Sequence, residues 1–394
     1  MTAITLLVAW TMAVVVSIPL LTFSIEVLFG LGRVMHRDLD GSLPKTCILI
    51  PAHNEEKIIE GTLSRLMELL PYGADILVIA DNCTDNTAEI VRQSGFAVLE
   101  RFDTERRGKG YALAHGRAWL AGAPPECVII FDADCTAEAA SLIQLARFSV
   151  ATMSVVQAGY FFEPDLTASP KVQISSFALW VKNVVRQRGV QKLGGGAILT
   201  GTGMAFPWKL FADLPLATSS IVEDLALTID LVRAGRAPVY LDQATVHSIA
   251  ATEMATFEQR SRWEHGFLGV ARNHGWPMLR SGLLRMDRKS ALLGIHLLVP
   301  PLALLLAIAF SVCFALAGLA ILTSNWLPFS AMAIALSIAV LSVTFGWFAG
   351  GHRWLEAKSL LLVPLYVAWK IPLYLRYVLG QTATWIRTER DAGP

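Results

Sequence analysis

Two carboxylates one residue apart, Asp132 and Asp134, directly follow the apolar run Val128-Ile129-Ile130-Phe131. Like charges this close repel unless a cation sits with them. Their hard oxygens suit Mg2+ or Mn2+, and such an ion would bridge to a diphosphate. On its own D-x-D is a weak signal, a loop or helix-cap role being the plain alternative; the position at the end of a strand-like run points to chemistry. Arg106-Arg107-Gly108-Lys109-Gly110 precedes the helix-like Tyr111-Ala112-Leu113. Backbone amides at a glycine-rich helix start, with a lysine nearby, favour phosphate, and a solvated turn is the other reading. Glu223-Asp224 has the setting of a helix N-terminus, so capping stands beside a chemical role as general base for an acceptor hydroxyl. Gln259-Arg260-Ser261-Arg262-Trp263 offers a guanidinium for a leaving diphosphate and an indole for a sugar face; a surface arginine beside a half-buried tryptophan is the ordinary alternative. His247 and His265 stand alone, as structural histidines usually do.

These groups need a scaffold that brings them together. Between residues 43 and 280 strand-like and helix-like signals alternate. The strands are expected at 47–51, 76–80, 96–100 and 128–131, the helices at 55–70, 84–94 and 110–120. Such alternation predicts an α/β fold with a mainly parallel sheet covered on both faces. Ligands bind beyond the C-terminal ends of the strands in such sheets. His53-Asn54-Glu55, Asp81-Asn82 and Asp132-Ala133-Asp134 all fall there. Residues 174–189 have helical spacing of apolar side chains, with Lys182, Arg186 and Arg188 on the other positions, and read as an amphipathic helix lying on its own core or on a membrane.

The chain has 394 residues, of which 54% are hydrophobic, and its formal net charge is +1. No basic arm or stripe asks for nucleic acid. Five cysteines show no C-x-x-C spacing, which fits buried, reduced residues. The apolar excess sits at the two ends. Residues 4–30 hold one charge, Glu26, and are long enough to span a bilayer. A signal peptide fits poorly: no basic residue precedes the run, the run is too long, and no A-x-A-like site follows. Arg33 and Arg37 follow it instead, so the positive-inside rule puts the N-terminus outside and the middle of the chain in the cytosol. Further spans are expected at 292–322 and 329–350. Residues 360–380 contain Lys370 and Arg376 among aromatics and read as a membrane-surface helix, a full span being the alternative.

Taken in order, Pro51-Ala52-His53-Asn54-Glu55, Asp81, Asp132-Ala133-Asp134, Gly201-Thr202-Gly203, Glu223-Asp224 and Gln259-Arg260-Ser261-Arg262-Trp263 resemble the family 2 glycosyltransferases of GT-A fold, in particular the membrane-integrated branch of cellulose, chitin and hyaluronan synthases. The resemblance implies that Pro51, His53, Glu55 and Asp81 hold the nucleotide, and that Asp134 binds the metal with Asp132 beside it on the donor. It implies Asp224, with Glu223 next to it, as the catalytic base. Lys109 and Arg262 would face the diphosphate, and Gly201, Thr202, Gly203, Gln259 and Trp263 the acceptor. Trp385, Thr388 and Arg390 in the tail look like the gating loop of cellulose synthases, which would keep the C-terminus cytosolic. Two departures are visible: Ala80-Asp81 stands where the family usually has paired acids, and His53 where an aromatic is common.

The expected organisation is an N-terminal anchor at 1–36, a cytosolic catalytic domain at 37–285, a transmembrane hairpin at 286–358 and an interfacial helix with tail at 359–394. The expected activity is inverting transfer of a sugar, with Mg2+ or Mn2+, from a nucleotide-sugar donor such as a UDP-sugar to a polyprenyl-linked or oligosaccharide acceptor. A processive synthase extending a homopolymer is the main alternative and an inactive nucleotide-sugar-binding scaffold a distant one. Expected partners are donor, glycan or lipid-linked acceptor and the bilayer of the inner or plasma membrane, with a homo-oligomer or secretion partner besides.

Overall fold

The computed structural model describes residues 3–250 and 253–380, so Trp385, Thr388 and Arg390 of the tail lie outside the described residues. The described chain divides into a sheet unit, residues 33–163, 195–250 and 253–255, and a helical unit, residues 3–32, 164–194 and 256–380.

In the sheet unit the strands are β1 Thr46–Ala52, β2 Ala74–Asp81, β3 Ala97–Arg101, β4 Cys127–Ile130, β5 Cys135–Thr136, β6 Val156–Phe162, β7 Met204–Pro207 and β8 Val239–Ser248. They form one sheet in the order β3-β2-β1-β4-β7-β6-β8-β5. β1 runs parallel to β2 and β4, β2 to β3, and β6 to β8, while β7 is antiparallel to β4 and β6, and β5 to β8. The fold is thus α/β with a mostly parallel sheet. Ile48, Leu49 and Ile50 of β1 and all four residues of β4 are buried, as strands covered on both faces require.

Two registers place the chemistry. Ala52 pairs with Ala80, so the chain leaves β1 at His53 beside Asp81 of β2. Ile130 pairs with Met204 of antiparallel β7, so residues 201–203 enter the sheet next to Asp132. The helix expected from residue 55 starts only at Ile59, because the preceding turn is tied down. The Glu55 N–H donates to Thr87 Oγ1 at 2.8 Å and the Glu56 N–H to Asp85 Oδ2 at 3.1 Å.

The helical unit contains three helices long and apolar enough to cross a membrane: Ala3–Gly30, Leu302–Thr323 and Leu327–Ala349. The apolar run at 292–322 is not one span. Pro300 and Pro301 interrupt it between the helices Arg288–Leu297 and Leu302–Thr323, since proline lacks a donor and restricts the residue before it. Helix Val363–Val378 has 16 residues, fewer than the roughly 20 that cross a bilayer upright. Its Lys370 is buried, paired with Glu264, and Tyr374 donates to the same carboxylate at 2.7 Å.

The stretch 174–189 packs within this unit, as helix Pro170–Trp180, a wider turn Val181–Val185 and helix Arg186–Lys192. Arg186 belongs by spacing to the polar positions, yet it is buried: its Nε donates to Glu26 Oε2 at 2.6 Å, and His296 Nδ1 lies 2.9 Å from Glu26 Oε1. The crossing there is backbone on backbone. A Cβ on Gly189 would lie 1.8 Å from the Glu26 carbonyl oxygen, and one on Gly30 1.8 Å from that of Val185.

Candidate active site

At the end of β1, His53 Nδ1 lies 2.7 Å from the Asp81 carbonyl oxygen. A carbonyl only accepts, so this nitrogen carries the proton. Asn54, with φ 58, accepts the Thr84 N–H at 2.7 Å and so holds the turn against the loop after β2. The Asp81 carboxylate accepts from Arg101 Nη1 at 2.6 Å, and the other arm of Arg101 reaches Asp103 at 3.0 Å and the Arg106 carbonyl at 2.6 Å. Arg101, at the end of β3, is a partner that motif reading does not find; its signal is a basic residue closing a strand at the ligand edge.

Beside this turn stands a charged cluster. Lys109 opens helix Lys109–Leu120, and its ammonium pairs with Asp132 and donates to the Gly201 carbonyl at 2.8 Å. The Arg-Arg-Gly-Lys-Gly segment therefore supplies a cation to the Asp132 carboxylate. Gly201 has φ +87, and a Cβ built on it would lie 3.4 Å from Lys109 Nζ and 3.5 Å from Asp224 Oδ2. Lys109, Asp132, Gly201 and Asp224 thus meet at one point. The backbone of 200–202 is clamped from beneath. The Thr200 N–H donates to Gln157 Oε1 at 2.9 Å, Gln157 Nε2 to the Thr202 carbonyl at 3.0 Å, and the Asp132 N–H to Thr202 Oγ1 at 3.1 Å. A glutamine within the apolar run Val155-Val156-Gln157-Ala158 is the legible sign of that clamp.

Glu223 and Asp224 form the first turn of helix Glu223–Arg233 and are not its cap. The cap position is Val222, with no side-chain cap bond. Thr228, one turn on, donates to the Asp224 carbonyl at 2.9 Å and accepts the Leu199 N–H at 2.9 Å, tying the start of this helix to the 199–203 segment. Burial and the neighbouring Asp224 push the Glu223 carboxyl well above the usual range, with Lys109 opposing them. Burial would lower the Lys109 ammonium, but Asp132 and Glu223 outweigh it and its pKa is raised. Glu223 thus tends to keep its proton, and the carboxylates of Asp132 and Asp224 around one fixed ammonium still leave room in the charge balance for a further cation.

Ligand atoms of Asp132, Asp134 and Cys135 lie within 4.8 Å of one another. Burial pushes the Cys135 thiol far up, so it stays neutral and the donor set is two hard carboxylates. That set fits Mg2+ or Mn2+ and not a thiophilic ion.

Gln259, Arg262 and Trp263 lie on helix Glu253–Val270 of the helical unit, where Gln259 is buried and Arg260 Nε donates to Ser175 Oγ at 2.8 Å with its guanidinium 5.1 Å from the Trp263 ring centre. His265 Nε2 lies 2.9 Å from the Leu373 carbonyl and His247 Nε2 3.1 Å from Glu163, which accounts for both histidines.

Residues 47–211 match the sequence profile of the family described as Glycosyl transferase family 2. They are a family 2 glycosyltransferase domain. This domain holds the β1 turn, Asp81, Lys109, the Asp132–Asp134 pair and Gly201–Gly203, while Glu223-Asp224 and the Gln259–Trp263 motif lie beyond the matched residues. A beta-monoglucosyldiacylglycerol synthase of Nostoc sp. is 26% identical over 264 residues, covering 62% of this chain and 53% of the relative. A poly-beta-1,6-N-acetyl-D-glucosamine synthase of Staphylococcus aureus is 25% identical over 256 residues, covering 62% and 59%. The chain spans little more than half the length of these relatives. A mannosyltransferase from Pyrobaculum calidifontis, solved with GDP-Man and Mn2+, matches 95% of this chain and 99% of its own with a TM-score of 0.58 at 16% identity. The family 2 domain thus has the GT-A fold.

Proposed function

We propose that the chain transfers one sugar, with inversion, from a metal-bound nucleotide-sugar donor such as a UDP-sugar to a hydroxyl or phosphate oxygen of a lipid-linked acceptor. The observation that carries the reading is the meeting of Lys109, Asp132 and Asp224 at Gly201, at the ligand edge of a family 2 domain. Asp224 takes the proton of an acceptor hydroxyl as that oxygen bonds to the anomeric carbon, and the bond to the nucleotide diphosphate breaks on the opposite face. Where the acceptor is already an ionised phosphate, Asp224 orients it and no proton moves. Asp134 and Asp132 would hold Mg2+ or Mn2+, which when bound offsets charge on the departing diphosphate. Lys109 serves that charge from the protein side, and Asp81 with the His53–Glu55 turn receives the nucleotide.

Three apolar helices support membrane attachment, and Arg33 with Arg37 after the first supports a cytosolic catalytic domain with the N-terminus outside. The relative that makes a glucosylated diacylglycerol supports a lipid as acceptor. The test is a panel of labelled nucleotide sugars with Mg2+ or Mn2+ on membranes containing the chain, with Asp134→Asn and Asp224→Asn as comparators. Label in a chloroform-extractable product, lost in both variants, is expected. A product ladder would replace single transfer by processive synthesis, and turnover equal in all three proteins would refute the site.

A further inference from the structure

Past the Gln259–Trp263 motif, residues 271–289 of the helical unit contain five basic residues, Arg272, Arg280, Arg285, Arg288 and Lys289, against one acid, Asp287. They build a hairpin in which helix Trp276–Leu284 turns through Arg285, Met286 and Asp287 into helix Arg288–Leu297. Trp276, Arg280, Leu283 and Leu284 are spaced i, i+4, i+7 and i+8 and so share one face of the first helix. That face looks outwards: Trp276 is 62% exposed, Leu283 64% and Leu284 74%, whereas Met278 and Gly282 on the opposite face are buried. All five basic residues are exposed. At the tip, Met286 is 93% exposed on a backbone with φ 55, a conformation that side chains with a β-carbon seldom adopt. The hairpin behind the tip is tight. A Cβ on Gly282 would lie 2.3 Å from the Ala291 amide nitrogen, and one on Gly294 2.2 Å from that of Leu279. Asp287 caps the second helix, accepting from the Lys289 N–H at 3.0 Å and the Ser290 N–H at 3.3 Å. Close packing and a cap thus hold out an edge that is apolar and cationic at once, and such an exposed patch marks an interaction surface.

We propose that this hairpin lies on the bilayer surface, with Trp276, Leu283, Leu284 and Met286 dipped below the headgroups and the basic residues on anionic phospholipid. Three observations select this partner. First, helix Arg288–Leu297 leads through Pro300 and Pro301 into Leu302–Thr323, a helix apolar and long enough to cross a membrane, so the hairpin adjoins lipid. A Cβ on Gly275 would lie 3.0 Å from Leu298 Cδ2, which puts the Trp276 end of the hairpin beside that span. Tryptophan is enriched at this level of a membrane. Second, about four to eight basic residues next to a crossing helix attract anionic headgroups, and five stand here. Third, the two chemistries occur together. A nucleic acid would leave the leucines and Met286 in contact with polar groups, and a purely apolar protein face would not use the cations. A layer of charged headgroups over hydrocarbon uses both, as it does for amphipathic helices with a basic polar side. The proposal goes beyond the transferase reading and rests on membrane attachment, not on sugar chemistry.

The full chain, with Leu284→Cys or Met286→Cys carrying a nitrobenzoxadiazole dye, is placed in nanodiscs of phosphatidylcholine alone or mixed equally with phosphatidylglycerol. Dye on the native cysteines of the unsubstituted chain gives the background. A lipid with a doxyl group on its acyl chain quenches dye that enters the hydrocarbon. Quenching is expected at both positions and should be at least about twofold stronger in the phosphatidylglycerol discs. That preference should vanish in about 1 M salt and in the triple variant Arg285→Gln, Arg288→Gln, Lys289→Gln. Amide hydrogen exchange across 276–289 of the unsubstituted chain should slow in the same discs, which decides the matter if a variant does not fold. No quenching in either disc overturns the proposal, and equal quenching in both overturns its anionic partner. Dye shielded from aqueous iodide but untouched by the doxyl lipid would reveal a protein partner, such as a second copy, and overturn it too. Donor turnover in the same discs reads the transferase separately. Turnover without quenching removes the surface and leaves the transferase standing, whereas quenching without turnover of any donor does the reverse.

Discussion

Lys109 Nζ and Asp224 Oδ2 approach the same face of Gly201, 3.4 Å and 3.5 Å from where a β-carbon would be. The cation that pairs with Asp132 and the carboxylate proposed as base thus share one glycine as spacer. Gly201→Ala places a methyl between them on a backbone with φ +87, a conformation costing an L-residue about 1–2 kcal/mol. We expect kcat to fall by at least about tenfold while the melting temperature drops only a few degrees. Unchanged kcat in steady-state assays would separate Gly201 from the chemistry.

Thr228 links the Asp224 carbonyl to the Leu199 amide through one hydroxyl. It is a positioning residue, so Thr228→Val should lower kcat several-fold with the donor KM unchanged, and Thr228→Ser should restore it, since serine keeps the hydroxyl. A structural role alone would lower the melting temperature of both variants without splitting kcat from KM.

How far this site could be read from residues alone follows from which partners are local. Asp132-Ala133-Asp134 is legible because a buried apolar run ends there, and following the C-terminal end of a parallel strand puts the acids at the ligand edge. Gly201 is legible only as part of an ordered motif, since its neighbours Lys109 and Asp224 are distant in sequence and meet through the β4–β7 register. Strands β6, β7 and β8 do not announce themselves among the expected strands, because antiparallel β7 is four residues long and its pairing partners are long-range. Arg186 is the converse case. Local spacing assigns it to a polar face, and only the arrival of Glu26, 160 positions away, buries it.

Glu223 provides a pH-dependent test. The unfolded chain loses the Glu223 proton in the ordinary carboxylate range, while burial and Asp224 make the native chain keep it to higher pH. Across that window the native state binds more protons, so Glu223 lowers stability as pH rises through it. Glu223→Gln removes this slope. Its melting temperature relative to wild type should therefore climb between about pH 5 and pH 9, with little difference at pH 4. A difference that is flat in pH would mean that Glu223 ionises normally.

Metal removal tests the carboxylate pair. With two hard ligands from the chain, the ion should be exchangeable, so EDTA should abolish donor turnover and Mg2+ or Mn2+ restore it, while Zn2+ does so poorly. Asp134→Asn should raise the metal concentration for half-maximal rate by about tenfold or more and lower the rate at saturation by about 10²–10³-fold. Asp132→Asn should have a second effect, because it also releases Lys109. Metal titrations of both variants read this directly, and turnover that persists in EDTA would remove the ion from the mechanism.

In the helical unit, Glu26 and Arg186 form a buried pair on which His296 closes, at a crossing where Gly30 and Gly189 let the two backbones touch. Removing one member of such a pair strands the other charge in a dry setting, which costs about 3–5 kcal/mol, whereas removing both costs far less. Glu26→Gln or Arg186→Met alone should therefore lower the thermal inactivation temperature in nanodiscs markedly. The double variant should recover much of the loss, a coupling that a cycle of the four proteins measures. Gly189→Ala should be as damaging as either single change, since its β-carbon would stand 1.8 Å from the Glu26 carbonyl oxygen and no rotamer can relieve a clash with backbone. Additive losses across the cycle would show that the pair is not coupled, and a tolerated Gly189→Ala would show that the crossing is wider than described.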